Sequence, residues 1–523
     1  MMRTKNTRLL ALALCLLLCC GLVLVACEST PQESTQPAES TGSADNSQAE
    51  SGPEQTESKY LDANSNYTTA NLNMPAFDFS EKEFRVCVTS QEGDSTYFSE
   101  EIGYDLYETT DTVLNEAVKT RNDLMEEKFG VTIVAVPVNN VRSSVAEDAT
   151  ARTDLYDAAM PFMPGAATLA EEGLLYDLTG FANYIHLDAP WWDQSANNSL
   201  SIGHHLYFTT GDISIMQKII STAITFNKTM YDQSIADTYG DLYQLVRDHK
   251  WTFDTMYEMA KMVTADSDGN AGMADKDTYG MSSSNGDARN YYIASGQSLI
   301  RKNADDLPEL YIGTTEASIT TAQKILEKMN EGTTWMLNCQ DYTGQVSNIW
   351  VLSLEIFGQN RALFRTTAFS AIKKLRAYTD ASDFGIVPTP LIMEGQDTYY
   401  TPAACDYAYG ICIPVSARNP EFSAYMIEEM CCSAKNTVTP AYYEVTLKHR
   451  DSKDAESEEM LDKYIFNNVV YDPGMVYNFG DINRMLGNLA AAKSADVAST
   501  LDGMRSSIEA AINSCVEAYE MNS

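Results

Sequence analysis

Beyond residue 80 the chain switches between two hydrophobic periods. Phe84-Arg85-Val86-Cys87-Val88-Thr89 alternates as a strand does, and a loop leads to a helix from about Asp111 to Phe129, closed by Gly130. A second strand is predicted over Val131 to Val138. After a polar stretch, Tyr156 to Pro161 reads as a third strand running into a helix near Ala166 to Leu175. The pattern restarts with a strand at Thr222 to Phe226, helices at about Thr252 to Val263 and Thr315 to Met329, and a strand at Phe384 to Pro388. In the second of those helices Ala317, Ile319, Ala322, Ile325, Leu326 and Met329 form an apolar face. Tyr409 to Pro414 reads as a further strand, and Asn419-Pro420 supplies the cap and first position of a helix to about Cys432. Helical spacing returns at 452–464 and 481–519, and there is no tandem repeat. Strands alternating with helices imply an α/β protein whose mostly parallel sheets are covered on both faces. Ligands of such sheets sit beyond the carboxyl ends of the strands, which directs attention to the loops Gln91 to Tyr97 and Met160 to Gly165.

The amino terminus follows a different pattern. Arg3, Lys5 and Arg8 precede an apolar run from Leu9 to Ala26 that ends at Cys27. This is the three-part shape of a secretory signal, and the small residue before Cys27 resembles the lipobox of bacterial lipoproteins. The resemblance implies a signal peptide over 1–27, with Cys27 becoming the lipid-modified first residue of the mature chain. Residues 28–79 form a Ser/Thr/Glu-rich tether and lead-in, whose first thirty or so residues carry no aromatic and cannot bury enough surface to repay ordering. The location expected is the outer face of the cell membrane, held by lipid.

Length and charge narrow the choices. A chain of 523 residues with 44% hydrophobic content is neither disordered nor collagen-like, and is long enough for several domain-sized units. With 36 Lys+Arg against 73 Asp+Glu the net charge is −37, the wrong field for a polyanion, so no nucleic-acid partner is expected. Of 11 cysteines, four lie in the leader. The other seven, Cys87, Cys339, Cys405, Cys412, Cys431, Cys432 and Cys515, show no CxxC spacing; they read as small buried hydrophobes, with one disulfide as the alternative.

A set of segments in fixed order carries a resemblance. They are Tyr156-Asp157-Ala158-Ala159, Pro190-Trp191-Trp192-Asp193, Leu206 to Ile213, Thr225-Phe226-Asn227-Lys228 and Lys250-Trp251-Thr252, then Asp277-Thr278-Tyr279-Gly280, Arg361-Ala362-Leu363-Phe364, Phe384 to Pro388 and Pro440-Ala441-Tyr442-Tyr443. Spanning most of 80–475, they resemble the extracellular solute-binding lipoproteins of ABC importers, of the Gram-positive sugar-binding type. The resemblance implies a two-lobed, periplasmic-binding-protein-like (type II) α/β fold with hinge-linked lobes and a carboxy-terminal helical region. Lobe one would hold 80–221 plus 405–438, lobe two 222–404, and the helices of 439–523 would pack mainly on lobe two. The function implied is capture of a small solute, a carbohydrate or oligosaccharide before others, in the cleft between lobes, and its delivery to permease subunits. The protein would be a monomer and no enzyme.

The resemblance also nominates ligand contacts. Trp191 and Trp192 would stack on a sugar ring, or else anchor a loop in lobe one. The resemblance places the crossings between lobes near Ser221 to Ile224 and Pro402 to Tyr409; Asp212 and Asp406 lie near them and would accept hydrogen bonds from hydroxyls, although relatives tend to carry Asn or Gly in place of Asp406. Phe364 and Arg365 follow a strand that often presents ligand contacts, and Arg365 would suit an acidic ligand. Tyr97, Met163 and Tyr407 complete the set, packing within the lobes or cleft walls being the alternative for each.

No cofactor is required. Asp266, Asp268, Asn270 and Asp277 stand at positions 1, 3, 5 and 12 of an EF-hand-like loop, which a structural calcium ion would fit. Ala271 replaces the usual turn Gly and Asp277 the usual Glu, so an ion-free polar loop is the other reading. The rival functional classes are a secreted carbohydrate-active hydrolase using paired carboxylates and a cell-surface adhesin. There is no HExxH, GxSxG or Walker A motif.

Overall fold

The computed structural model describes residues 58–80, 82–108, 111–267, 269, 277–375, 383–443 and 454–522. Two five-stranded sheets organise it. The first contains β1 (Glu83–Thr89), β2 (Thr132–Val138), β3 (Ala158–Ala159), β4 (Phe208–Thr209) and β13 (Ile411–Cys412), in the order β2-β1-β3-β13-β4. The second contains β5 (Thr222–Asn227), β6 (Tyr279–Ser283), β9 (Met336–Asn338), β10 (Ala362–Ala368) and β11 (Phe384–Val387), in the order β11-β5-β10-β6-β9. β1 runs parallel to β2 and β3, and β6 parallel to β9 and β10. β13 is antiparallel to both its neighbours, and so is β5. The two sheets thus share one plan, in which the strand that follows a passage from the other sheet is inserted antiparallel next to an edge. β7 (Ile300–Lys302) pairs with β8 (Pro308–Leu310) as a hairpin, and β12 (Thr401–Pro402) with β14 (Val469–Val470).

Local sequence accounts for these elements. Asp111 caps the Thr112–Phe129 helix through the amides of Val113 and Leu114, and Gly130 ends it in the left-handed region at φ 67°. Thr252, Thr315 and Asn419 cap the helices Phe253–Val263, Glu316–Asn330 and Pro420–Asn436 in the same way. All six residues of β5 are buried because helices cover both faces of its sheet. The strands predicted over 156–161 and 409–414 shrink to two residues each, with isolated bridges at Phe162–Tyr409 and Leu175–Pro414 beyond them. Pro161 and Pro414 have no amide to extend the ladder. The helix expected near 166–175 runs instead over Met163–Glu171, with a proline in its first turn. The carboxy-terminal helical stretch is broken into Ile482–Ala491 and Val497–Asn522.

The passages between the sheets lie side by side. Ser221 bridges Ala403, Thr222 Oγ1 donates to the Pro402 carbonyl (3.0 Å), and the Ala403 amide donates to the Val470 carbonyl (3.0 Å). The carboxy-terminal helices pack chiefly on helices that flank the second sheet and also reach a helix that flanks the first. Ile482–Ala491 packs on the helices Asp287–Ala294 and Glu316–Asn330, while Val497–Asn522 also reaches Met163–Glu171. A helix of 26 residues is about 39 Å long. Its Tyr519 packs edge-on against Tyr207 and shares a hydroxyl hydrogen bond (2.8 Å) with Tyr477.

All seven described cysteines are free and buried. Burial pushes their thiols up, Cys87 and Cys339 to about 12, which keeps them protonated and inert.

Asp472 follows β14 and its buried carboxylate accepts the amides of Leu299 (2.7 Å), Gly474 (2.8 Å) and Ile300 (3.4 Å). Burial outweighs these donors and raises it from 3.8 to about 6. Between those values the folded chain holds a proton that the unfolded chain has lost. The stability this group contributes is therefore complete below the unfolded value and is lost as pH rises through the folded one. Denaturant unfolding of the wild type and Asp472→Asn should show the wild type's relative stability falling by about 2 kcal/mol between pH 4.5 and 7.5.

Candidate functional site

A cavity of about 600 Å³ lies between the two sheets. The loop after β1 brings Asp94, Thr96 and Tyr97 from the first sheet. The second sheet contributes Ser282 and Ser283 at the end of β6, Asp287 and Arg289 from the helix that follows, Gln340 after β9, and Arg365 and Thr367 on β10. Thr222, Ala404, Asp406 and Tyr407 line it from the passages. The site sits where such sheets place ligands, beyond the carboxyl ends of parallel strands.

Its aromatic surfaces come from both sides. Tyr97 and Tyr407 stack with centroids 4.2 Å apart at 19°, and Phe162 supports Tyr407 edge-on at 6.1 Å. Opposite, Asn348 caps the Ile349–Gly358 helix by accepting from the Trp350 amide (2.9 Å), and Trp350, in the first turn, lines the cavity with 53% of its surface exposed. An indole so open on a cavity wall is a platform for a ring with apolar C–H faces.

The polar side chains are arranged around Arg365. Its Nε donates to Ser353 Oγ (3.1 Å) and its Nη1 to Thr367 Oγ1 (2.8 Å). Burial pushes the guanidinium down to about 10, opposed at longer range by Asp287, so it stays charged at neutral pH. Asp287 Oδ2 accepts from Ser283 Oγ (2.8 Å) and the Ser284 amide (2.8 Å), and burial raises its carboxyl. Arg289 Nη2 donates to Asp406 Oδ2 at 3.5 Å. Two contacts cross directly from the first-sheet loop to the Phe369–Leu375 helix: Lys374 Nζ donates to Thr96 Oγ1 (3.1 Å), and the Tyr97 and Ser370 hydroxyls meet at 3.2 Å.

Of the nominated ligand contacts, Tyr97, Arg365, Asp406 and Tyr407 line this cavity together. The others lie away from it. Trp191 and Trp192 are buried in the hydrophobic core: Trp191 packs edge-on against Tyr60 (5.4 Å), and Trp192 Nε1 donates to Glu428 Oε2 (2.8 Å). A Cβ at Gly211 would lie 2.4 Å from the Trp191 carbonyl, so the backbones meet there too closely for a ligand. Asp212 is buried between Lys435 Nζ (3.1 Å) and Thr439 Oγ1 (2.8 Å). Phe364 precedes Arg365 in β10, so their side chains point to opposite faces, and Phe364 packs on Trp251 at 5.4 Å. Met163 is wholly buried at the start of its helix. Of the loop nominated at 160–165, Phe162 touches the site only through Tyr407.

Of the calcium set, Asp268 and Asn270 lie outside the described residues. Asp266 Oδ1 accepts the Gly269 amide (2.7 Å) and Asp277 Oδ1 the Ser267 amide (2.8 Å), and an Ala265–Thr278 bridge closes the loop. Cys27 and the leader also lie outside the described residues. Among the described helices none is long and apolar enough to cross a membrane.

By sequence no family and no curated protein matches this chain. By structure it is similar to a sugar transporter protein from Rhizobium etli in an open conformation, at TM-score 0.55 and 13% identity, over 82% of this chain and 100% of that one. A cyclo/maltodextrin-binding protein complexed with maltotetraose aligns at TM-score 0.50 and 16% identity, over 85% of this chain and 98% of that one. An ABC substrate-binding protein from Listeria monocytogenes in complex with cycloalternan aligns at TM-score 0.50 and 13% identity, over 83% and 100%. With two like-ordered α/β sheets, clustered passages and a cavity between them, the chain has the periplasmic-binding-protein-like, type II fold of these solute-binding structures.

Proposed function

We propose that this protein is the substrate-binding component of an ABC importer, which captures a carbohydrate in the cleft and passes it unchanged to membrane permease subunits. The observation that carries this reading is the cleft itself. Its walls come from both sheets, so ligand contacts from the two sides add only when the lobes approach, and the three adjoining passages form the natural hinge. Exposed Trp350 and the Tyr97–Tyr407 stack suit the C–H faces of sugar rings, and the serine and threonine hydroxyls suit their edges. The sugar-binding proteins of similar fold support the ligand class.

Further parts of the proposal rest on sequence. The Leu9 to Cys27 pattern supports a lipid anchor at Cys27 on the outer face of the membrane, with 28–79 as its tether. The acidic loop 266–277 supports a structural calcium ion held by Asp266, Asp268, Asn270 and Asp277. The protein works as a monomer and turns nothing over.

A thermal-shift screen of the purified protein against mono- and oligosaccharides, run with calcium and with chelator, tests these points together. The expected result is a raised melting temperature with a narrow group of sugars, recovered intact by chromatography, and a lower melting temperature in chelator that Asp266→Ala plus Asp277→Ala abolishes. Fragments of the added sugar would instead establish a hydrolase.

A further inference from the structure

Two cations of the cleft, Arg365 and Lys374, make no direct ion pair among the described residues, Asp287 acting on Arg365 only at longer range. Arg365 lines the cavity yet is only 6% exposed, and it forms no ion pair among the described residues. Its guanidinium contacts are two neutral hydroxyls, Ser353 Oγ to Nε and Thr367 Oγ1 to Nη1, while Nη2 bonds to no described residue. Lys374, exposed at the rim, bonds among the described residues only to the Thr96 hydroxyl. The acids of the cleft are already engaged: Asp94 Oδ1 accepts the amides of Thr96 (2.8 Å) and Tyr97 (2.9 Å), Asp287 holds Ser283 and Ser284, and Asp406 faces Arg289.

Taking a guanidinium out of water costs several kcal/mol unless a counter-charge meets it. Asp287 supplies counter-charge only at longer range, and no described residue bonds to the Nη2 edge that opens to the cavity. We propose that the ligand is a saccharide bearing an anionic group, such as the carboxylate of a uronic acid, which docks on the free edge of Arg365 with Lys374 guiding it at the rim; this deepens the receptor reading and rests on it. The planar fork of Arg matches a carboxylate with two parallel hydrogen bonds, which a Lys could not. The chain's net charge of −37 opposes long polyanions, so the ligand is a short acidic fragment whose charge is met locally within a screening length of about 8 Å.

The test is calorimetric titration with short uronate oligosaccharides from pectin, alginate and glucuronoxylan, each beside its carboxyl-reduced counterpart, with sulfated galacto-oligosaccharides as a second source of anion. At least one acidic member should bind about a hundredfold more tightly than its neutral counterpart. Arg365→Gln should erase that preference while neutral sugars still bind weakly. Lys374→Gln, at an exposed position that leaves the fold intact, should reduce the preference severalfold and flatten its salt dependence. Binding of sulfated members alone would support the anion site and assign it to sulfate. Equal or tighter binding of the neutral counterparts overturns the inference and leaves the receptor standing. Failure of every saccharide, acidic and neutral, overturns the receptor reading as well.

Discussion

Trp192→Ala should lower folding stability by about 3–5 kcal/mol and leave sugar affinity of the folded fraction unchanged. The indole is 3% exposed, and its Nε1 donates to Glu428, itself fully buried, whose other oxygen meets His186 Nδ1 at 3.2 Å. Truncation opens a cavity and also removes one of the two side-chain partners of a buried carboxylate, and an uncompensated buried acid is among the costliest single defects. Trp192→Phe separates the two effects, because it keeps most of the packing and loses only the donor; about 1–3 kcal/mol is expected. Guanidinium unfolding measures both. A Trp192→Ala protein as stable as wild type that no longer binds sugar would return this residue to the ligand and refute the placement of the cleft.

Trp350→Ala should do the opposite. With 53% of its surface open and its backbone held by the Asn348 cap, Trp350 contributes little to the fold. Its loss should change stability by no more than about 0.5 kcal/mol. Affinity should fall about 10- to 100-fold, as for an aromatic anchor at the centre of an interface. Titration with the best sugar, beside unfolding of the same preparation, reads both quantities. Unchanged affinity would remove the platform role and leave the Tyr97–Tyr407 stack as the aromatic floor.

The contrast between these two tryptophans shows what the sequence could and could not convey. Trp191-Trp192 looks like an exposed sugar platform because nothing nearby in the chain reveals Glu428, 236 positions away, which satisfies the indole inside the core. Asp212 misleads for the same reason, its partner Lys435 being 223 positions away. Trp350 was hidden in the reverse sense: the run Ile349-Trp350-Val351-Leu352 reads as core, and only the cap at Asn348 and the direction of the helix turn its first residues to the cleft. Residues fixed by local rules were legible. Asp111 and Gly130 bound their helix as expected, and β1, β2 and β5 fall where alternation or a short apolar run placed them. The strand β6 was missed because Tyr279-Gly280-Met281-Ser282-Ser283 carries its meaning in tertiary burial rather than in a period. With it went Ser282, Ser283 and Asp287, which line the cleft. Tyr97, Arg365, Asp406 and Tyr407, nominated through family resemblance and the rule that loops at strand ends carry function, line the cavity together.

Small-angle X-ray scattering of the purified protein across a titration with its tightest sugar tests the central claim most directly. Hinged capture predicts a smaller radius of gyration that follows the binding isotherm, reverses on dilution, and persists in Trp192→Phe. Saturation of the site with no change of radius at any sugar concentration would contradict it.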